Sequence, residues 1–158
     1  MKIKPVKTIK EANSTIDFLC SSRAFDLEMT EFRINARKKG VLDSLKKDNQ
    51  RFWFTESNGE VVGAIGIAEN ERENGGYYLH YFAVDIDYRN KGIGSKLLQL
   101  AEDFVKDKKG RFVLIDTGSI EIFQAARNFY QKHGYKKVGR IPDYYDPGDD
   151  CIYYYKKV

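Results

Sequence analysis

YYLHYFAVDIDYRNKGIGSKLL, residues 77–98, reads as a buried strand that passes through a charged, glycine-containing turn into a helix. Tyr77 to Val84 is aromatic and apolar on both faces, as a central strand covered on both sides must be. From about Gly92 to Asp107, Ile93, Leu97, Leu98, Ala101, Phe104 and Val105 recur on one side of a helix. The first amides of a helix have no intrahelical acceptor and sit at the positive end of its dipole. Gly92 and Gly94 remove the Cβ atoms that would keep a phosphorylated ligand away from that backbone, and Arg89 and Lys91 add charge beside it. The chemistry implied is pyrophosphate binding. A dinucleotide-binding GxGxxG would need a third glycine where Leu97 stands, and no P-loop Gly-Lys-Ser/Thr follows a four-residue gap. The plain alternative is an ordinary turn and helix cap carrying charged residues.

On the C-terminal side, RFVLIDT (111–117) is a second strand apolar on both faces. Residues from Ile120 to His133 form a helix bearing Ile122, Phe123, Ala126, Phe129 and Tyr130, stopped at Gly134. YKKVGRI and CIYYYKKV close the chain as strands joined by a long acidic loop, PDYYDPGDD. On the N-terminal side, RFWFTE and VVGAIGIAE flank Asn58-Gly59, a strong hairpin signal. Upstream, Ala12, Ile16, Leu19 and Cys20 mark a helix from Glu11 to Arg23. A second helix spans Met29 to Lys47 less cleanly, with Gly40 as its expected break, and KIKPVKTIK supplies a first strand. The order β-α-α-β-β-β-α-β-α-β-β, without repeat or linker, predicts one α/β domain over residues 1–158. Its mixed, twisted sheet has about seven strands, flanked by about four helices.

A chain of 158 residues, 42% hydrophobic and 32% charged, can build one core, which excludes the disordered, collagen-like and coiled-coil classes. Both signs of charge are spread along the chain, so its formal +4 is no nucleic-acid footprint. No membrane span or secretory segment is expected, and cytoplasmic is the default. Cys20 and Cys151 lie far apart with no Cys/His cluster, so neither a disulfide framework nor a metal site is expected.

Arg89-x-x-Gly-x-Gly, preceded by Phe82-Ala83-Val84 and followed by Ala126-x-x-Phe129-Tyr130-x-x-x-Gly134-Tyr135, resembles the GCN5-related N-acetyltransferase (GNAT) family from about Arg51 to the C-terminus. The resemblance implies a GNAT fold, acetyl-coenzyme A as acetyl donor, and transfer to an amine. It makes Phe82, Ala83 and Val84 the strand edge that pairs with pantetheine. Arg89, Asn90, Lys91, Gly92, Ile93, Gly94 and Ser95 become the pyrophosphate turn, and Tyr130 the general acid. An asparagine often found seven residues before that tyrosine is Phe123 here, and Tyr78 occupies the place where several members carry a catalytic glutamate.

The residues carry this chemistry on their own terms. A lysine-like amine must lose a proton at a cost of roughly 4–5 kcal/mol near neutrality, and amides of a splayed strand can hold the oxyanion. Tyr130 can hydrogen-bond the departing sulfur, or else simply packs on the sheet. For the base, a water chain relayed by Tyr78 or His80 is the working reading, against a satisfied buried histidine at His80. His133, in a helix's last turn, complements the dipole. The acidic, aromatic loop with Asp143, Tyr144, Tyr145, Asp146, Asp149 and Asp150 either attracts a cationic amine or is a solvated turn. Asp116 is a further candidate, or a cap. With no cysteine in a motif position, direct attack on the thioester is expected. The acceptor is a small-molecule or peptide amine, nucleic acid and membrane are not expected as partners, and C-terminal strands pairing across a homodimer are conceivable. The alternative is a non-catalytic acyl-CoA sensor on the same fold.

Overall fold

In the computed structural model, which describes residues 1–158, the chain runs β1 (Ile3–Pro5), α1 (Ile9–Leu19), α2 (Glu31–Asp43), β2 (Gln50–Ser57), β3 (Glu60–Glu69) and β4 (Gly76–Val84). It continues through a 3-10 turn (Ile86–Tyr88), α3 (Ile93–Asp107), β5 (Phe112–Gly118), a second 3-10 turn (Glu121–Phe123), α4 (Gln124–Lys132), β6 (Lys136–Asp146) and β7 (Asp149–Lys157). The seven strands form one sheet in the order β1-β2-β3-β4-β5-β7-β6. Only β4 and β5 run parallel, so the sheet is mixed, as expected.

Side-chain alternation along the strands builds two cores. Phe52 and Phe54 face α1 and α2 with Val61, Ala64 and Leu19. Trp53, Ile65 and Ile67 face the other way, onto Leu97, Leu98, Ala101 and Val105 of α3. Asn58 and Gly59 take the expected hairpin turn, both at positive φ (52° and 83°).

Several elements depart from the sequence reading, among them β1, cut to Ile3–Pro5, and α2, which spans Glu31–Asp43 rather than Met29 to Lys47. Thr8 and Glu11 form a reciprocal cap, so α1 starts at Ile9 and ends at Leu19 rather than running to Arg23. Gly40 does not break α2; a Cβ there would come within 3.1 Å of the Tyr81 ring, so the glycine admits a close approach of helix to sheet. The segment from Ile120 opens as a 3-10 turn, and its helix begins at Gln124. The acidic segment expected as a loop is strand on both sides of a tight turn at Pro147-Gly148. Its carboxylates make that possible. Asp150 accepts from the Asp143 amide (2.8 Å) and from Arg140, while Asp143 accepts from the Gly148 amide (2.7 Å).

Candidate active site

β4 and β5 begin as neighbours and then part. Their parallel pairing covers Gly76 to Tyr78 against Phe112 to Leu114 and stops there. On its other edge β4 stays with β3 as far as Val84, but the register slips opposite Ile65, and Tyr81 stands at φ 45° inside the strand. That bulge turns the second half of β4 away from β5. A cavity of about 920 Å³ occupies the gap. It is walled by β4 from Leu79 to Val84, by β5 from Ile115 to Gly118, by α4, by the turn before α3, and by Ala24–Leu27 with Arg33 and Arg37 of α2.

The turn before α3 is held around the buried Asp85 carboxylate. Asp85 accepts from the Asp87 amide (3.0 Å) and from Arg23 Nε (2.6 Å), and Arg89 Nε donates to the Val84 carbonyl (3.0 Å). Asn90 (φ 61°) and Gly92 (φ 78°) both take left-handed conformations, and Gly92 caps the helix without a side-chain acceptor. The first bond inside α3 runs from the Lys96 amide to the Gly92 carbonyl (3.2 Å), so the amides of Ile93, Gly94 and Ser95 have no intrahelical acceptor. A Cβ on Gly92 would meet nothing within 4 Å, which leaves this end open. Arg89, Asn90, Gly92, Gly94 and Ser95 line the cavity. Lys91 instead lays its ammonium on the Asp87 carbonyl (2.9 Å) and over the Tyr88 ring, and Ile93 packs into the core.

Ser95 is tied to α4. His133 Nε2 lies 2.9 Å from Ser95 Oγ, and Nδ1 lies 2.8 Å from the Phe129 carbonyl. A carbonyl only accepts, so Nδ1 carries a proton, and Nε2 shares a hydrogen bond with the Ser95 hydroxyl. The sequence reading gave His133 only a dipole role; its contact with the turn depends on how two helices pack and has no local signal.

Phe82 and Val84 are half-buried along the cavity, while the side chain of Ala83 is buried toward α1 and α2. Tyr130 stands among Phe82, Phe129, Tyr135 and Tyr154, only 7% exposed, and its hydroxyl has no protein partner, although it is not sealed in. Burial, with the Asp116 charge as a lesser cause, pushes this phenol well above its ordinary value. His80 lines the same cavity, and neither ring nitrogen has a protein hydrogen bond, so the satisfied buried histidine is not what the fold contains. Burial drives its pKa below 6.5, with Asp116 opposing. Tyr78, by contrast, lies before the strands part and does not line the cavity, because it sits where β4 still pairs with β5.

Asp116 does not cap a helix. It is exposed in the cavity and accepts from the Tyr145 hydroxyl at 2.5 Å. Of the acidic hairpin, only Tyr145 and Asp149 reach the cavity, and Asp149 is engaged by the Ser119 amide (2.8 Å). The hairpin as a whole is therefore not an acidic wall. Cys151 is fully buried behind Tyr145 and does not line the cavity. The sequence reading missed Arg37. Its signal was there: a guanidinium four residues before Val41 falls on the apolar face of α2.

The profile of the acetyltransferase (GNAT) family matches residues 17–135. The chain is 34% identical over 104 residues to the Xenopus tropicalis protein named "Probable N-acetyltransferase camello", covering 63% of this chain and 47% of that one. It is 30% identical over 104 residues to N-acetylaspartate synthetase of the same organism, covering 66% of this chain and 37% of that one. The match thus spans half or less of the length of these curated relatives. A solved structure of aminoglycoside 6'-N-acetyltransferase complexed with coenzyme A superposes with a TM-score of 0.81 at 18% identity, covering 99% of this chain and 97% of that one, and shares the fold.

Proposed function

The chain belongs to the acetyltransferase (GNAT) family, and from that premise we propose that it carries an acetyl group from acetyl-coenzyme A to a primary amine by direct attack on the thioester. Residues 1–158 act as one acetyltransferase domain in this reading. One observation carries it: the gap between β4 and β5 joins the open amide end of α3 to the unpartnered hydroxyl of Tyr130.

Each part of the donor has a counterpart. The amides of Ile93, Gly94 and Ser95, with Arg89 and Asn90 beside them, suit a diphosphate. The edge of β4 from Phe82 to Val84, unpaired toward β5, offers the alternating donors and acceptors that a pantetheine amide chain needs. The acceptor nitrogen attacks the thioester carbonyl carbon, whose developing oxyanion is met by amides of the bulged strand. The carbon–sulfur bond then breaks, and the Tyr130 hydroxyl donates to the leaving sulfur. The nitrogen gives up its proton to water held between His80 and Asp116. A phenol held well above neutrality stays protonated and donates, and an imidazole held below its ordinary range stays free to accept. The curated relatives named N-acetyltransferase support the reaction, and the coenzyme-bound neighbour supports the donor.

The test is a panel of primary amines offered with acetyl-coenzyme A while released thiol is followed. Acetylation of at least one amine is expected, with kcat about 100-fold lower in Tyr130→Phe. Coenzyme binding without thiol release on any amine would instead leave an acyl-CoA sensor.

A further inference from the structure

Arg37 is a buried cation with no counter-ion. Only 6% of it is exposed, yet no carboxylate pairs with it, nor with Arg33 one turn away. Asp26, exposed at the cavity rim, pairs with neither. The fold holds the Arg37 guanidinium firmly in place. Nε donates to the Leu19 carbonyl (3.0 Å), Nη1 to the Arg33 carbonyl (3.1 Å), and its Cζ lies 5.0 Å from the ring centres of both Phe25 and Tyr81. Nη2 has no protein partner, and it is not sealed from the cavity that Arg37 lines.

A charge withdrawn from water and left unpaired is costly, and here the Arg33 charge adds repulsion. Two aromatic faces and two carbonyls offset part of that cost. What they leave is a rigid donor edge at Nη2, open to the cavity, the geometry that suits a planar carboxylate. Across the cavity the charge reverses: Asp116 stands on β5 and His80 on β4, and the Tyr81 hydroxyl feels both Arg37 and Asp116. The site is thus bipolar, cationic on the α2 side and anionic or basic on the β5 side.

We propose that the acceptor is an amino acid, or a conjugate that keeps its free α-carboxylate, with Arg37 as the carboxylate anchor and Asp116 and His80 facing the amine. This deepens the acetyltransferase reading and rests on it. The anchor selects among amines; it takes no part in the transfer itself.

The decisive comparison uses the intact wild-type chain. L-amino acids and their α-carboxamides are offered in matched pairs with acetyl-coenzyme A, and thiol release gives kcat/KM for each. At least one acid is expected to exceed its amide by about 30-fold or more, since the amide leaves the anchor unpaired. In Arg37→Lys, which keeps the charge but loses the planar fork, that preference should shrink by roughly 10-fold, through KM. Circular dichroism checks that the variant is folded, and the wild-type pairs stand without it. Amides acetylated as well as acids, or amines accepted only when they lack a carboxylate, would overturn the anchor while leaving the acetyltransferase intact. A preference that survives Arg37→Lys undiminished would also overturn it. Absence of both coenzyme binding and turnover would overturn the acetyltransferase reading itself.

Discussion

A phenol ringed by four aromatic side chains and an imidazole without a hydrogen-bond partner face one cavity, and burial shifts them in opposite directions. Desolvation disfavours whichever form is charged, so Tyr130 holds its proton and His80 sheds one. The pH dependence follows with a definite sign. Because the His80 pKa lies below 6.5, its basic form persists through neutrality, and the acid limb of kcat/KM falls below the ordinary imidazole range. The Asp116 charge acts against that shift, so Asp116→Asn should move the limb to still lower pH, and His80→Asn should abolish it. Rate profiles between about pH 4 and 8 check both, and a limb that ignores both substitutions would remove His80 from proton transfer. His80 was visible in the sequence as an imidazole on a strand. Its lack of a partner was not, because that depends on where β4 leaves β5; for Arg37 the helical spacing showed the face it sits on, but not its neighbours Phe25 and Tyr81, which come from elsewhere in the chain.

The strand–turn–helix unit was the most legible element. Its helix was expected from Gly92 and begins at Ile93, because the apolar spacing and the glycine turn are local signals. The bulge at Tyr81 was not legible, since no glycine or proline marks it; tertiary packing against α2 and Arg37 holds a tyrosine at positive φ. The acidic hairpin misled for a related reason. Pro142, Pro147 and Gly148 read as loop, but β6 is an edge strand, where a proline is tolerated, and the register skips from Ile141 to Asp146 around it. At this scale the telling substitution is Gly92→Ala. A Cβ there meets nothing, so the cost is purely conformational, about 1–2 kcal/mol for a left-handed residue. Either the turn distorts or the chain bears the strain. Calorimetry should show acetyl-coenzyme A binding weakened by roughly 10-fold, with the acceptor KM little changed.

Across the whole molecule, α3 must stay docked for its amide end to face the gap between the strands. Glu102 on α3, 5% exposed, takes Lys156 of β7 on both oxygens (2.8 Å each) and the Tyr135 hydroxyl (3.0 Å). Lys156→Met would strand that carboxylate. A loss of about 2–3 kcal/mol in urea unfolding is expected, short of the ~3–5 for a fully buried pair because Lys156 is 29% exposed. The order of elements along the chain was within reach of the sequence because it follows from alternation and helical spacing; the sheet order, with β7 between β5 and β6, was not, because pairing across the sheet has no local signal. The cleft belongs to the assembled sheet alone. Its claimed purpose, to grip a diphosphate at α3 and so point an acyl group at Tyr130, is tested most directly by titration calorimetry with two acetyl thioesters. Acetyl-coenzyme A should bind one to one, and S-acetylpantetheine, which lacks the diphosphate and the phosphoadenosine beyond it, should bind at least about 100-fold more weakly, the worth of a few charge-assisted contacts. Equal affinity for the two, or no heat from acetyl-coenzyme A, would contradict the account.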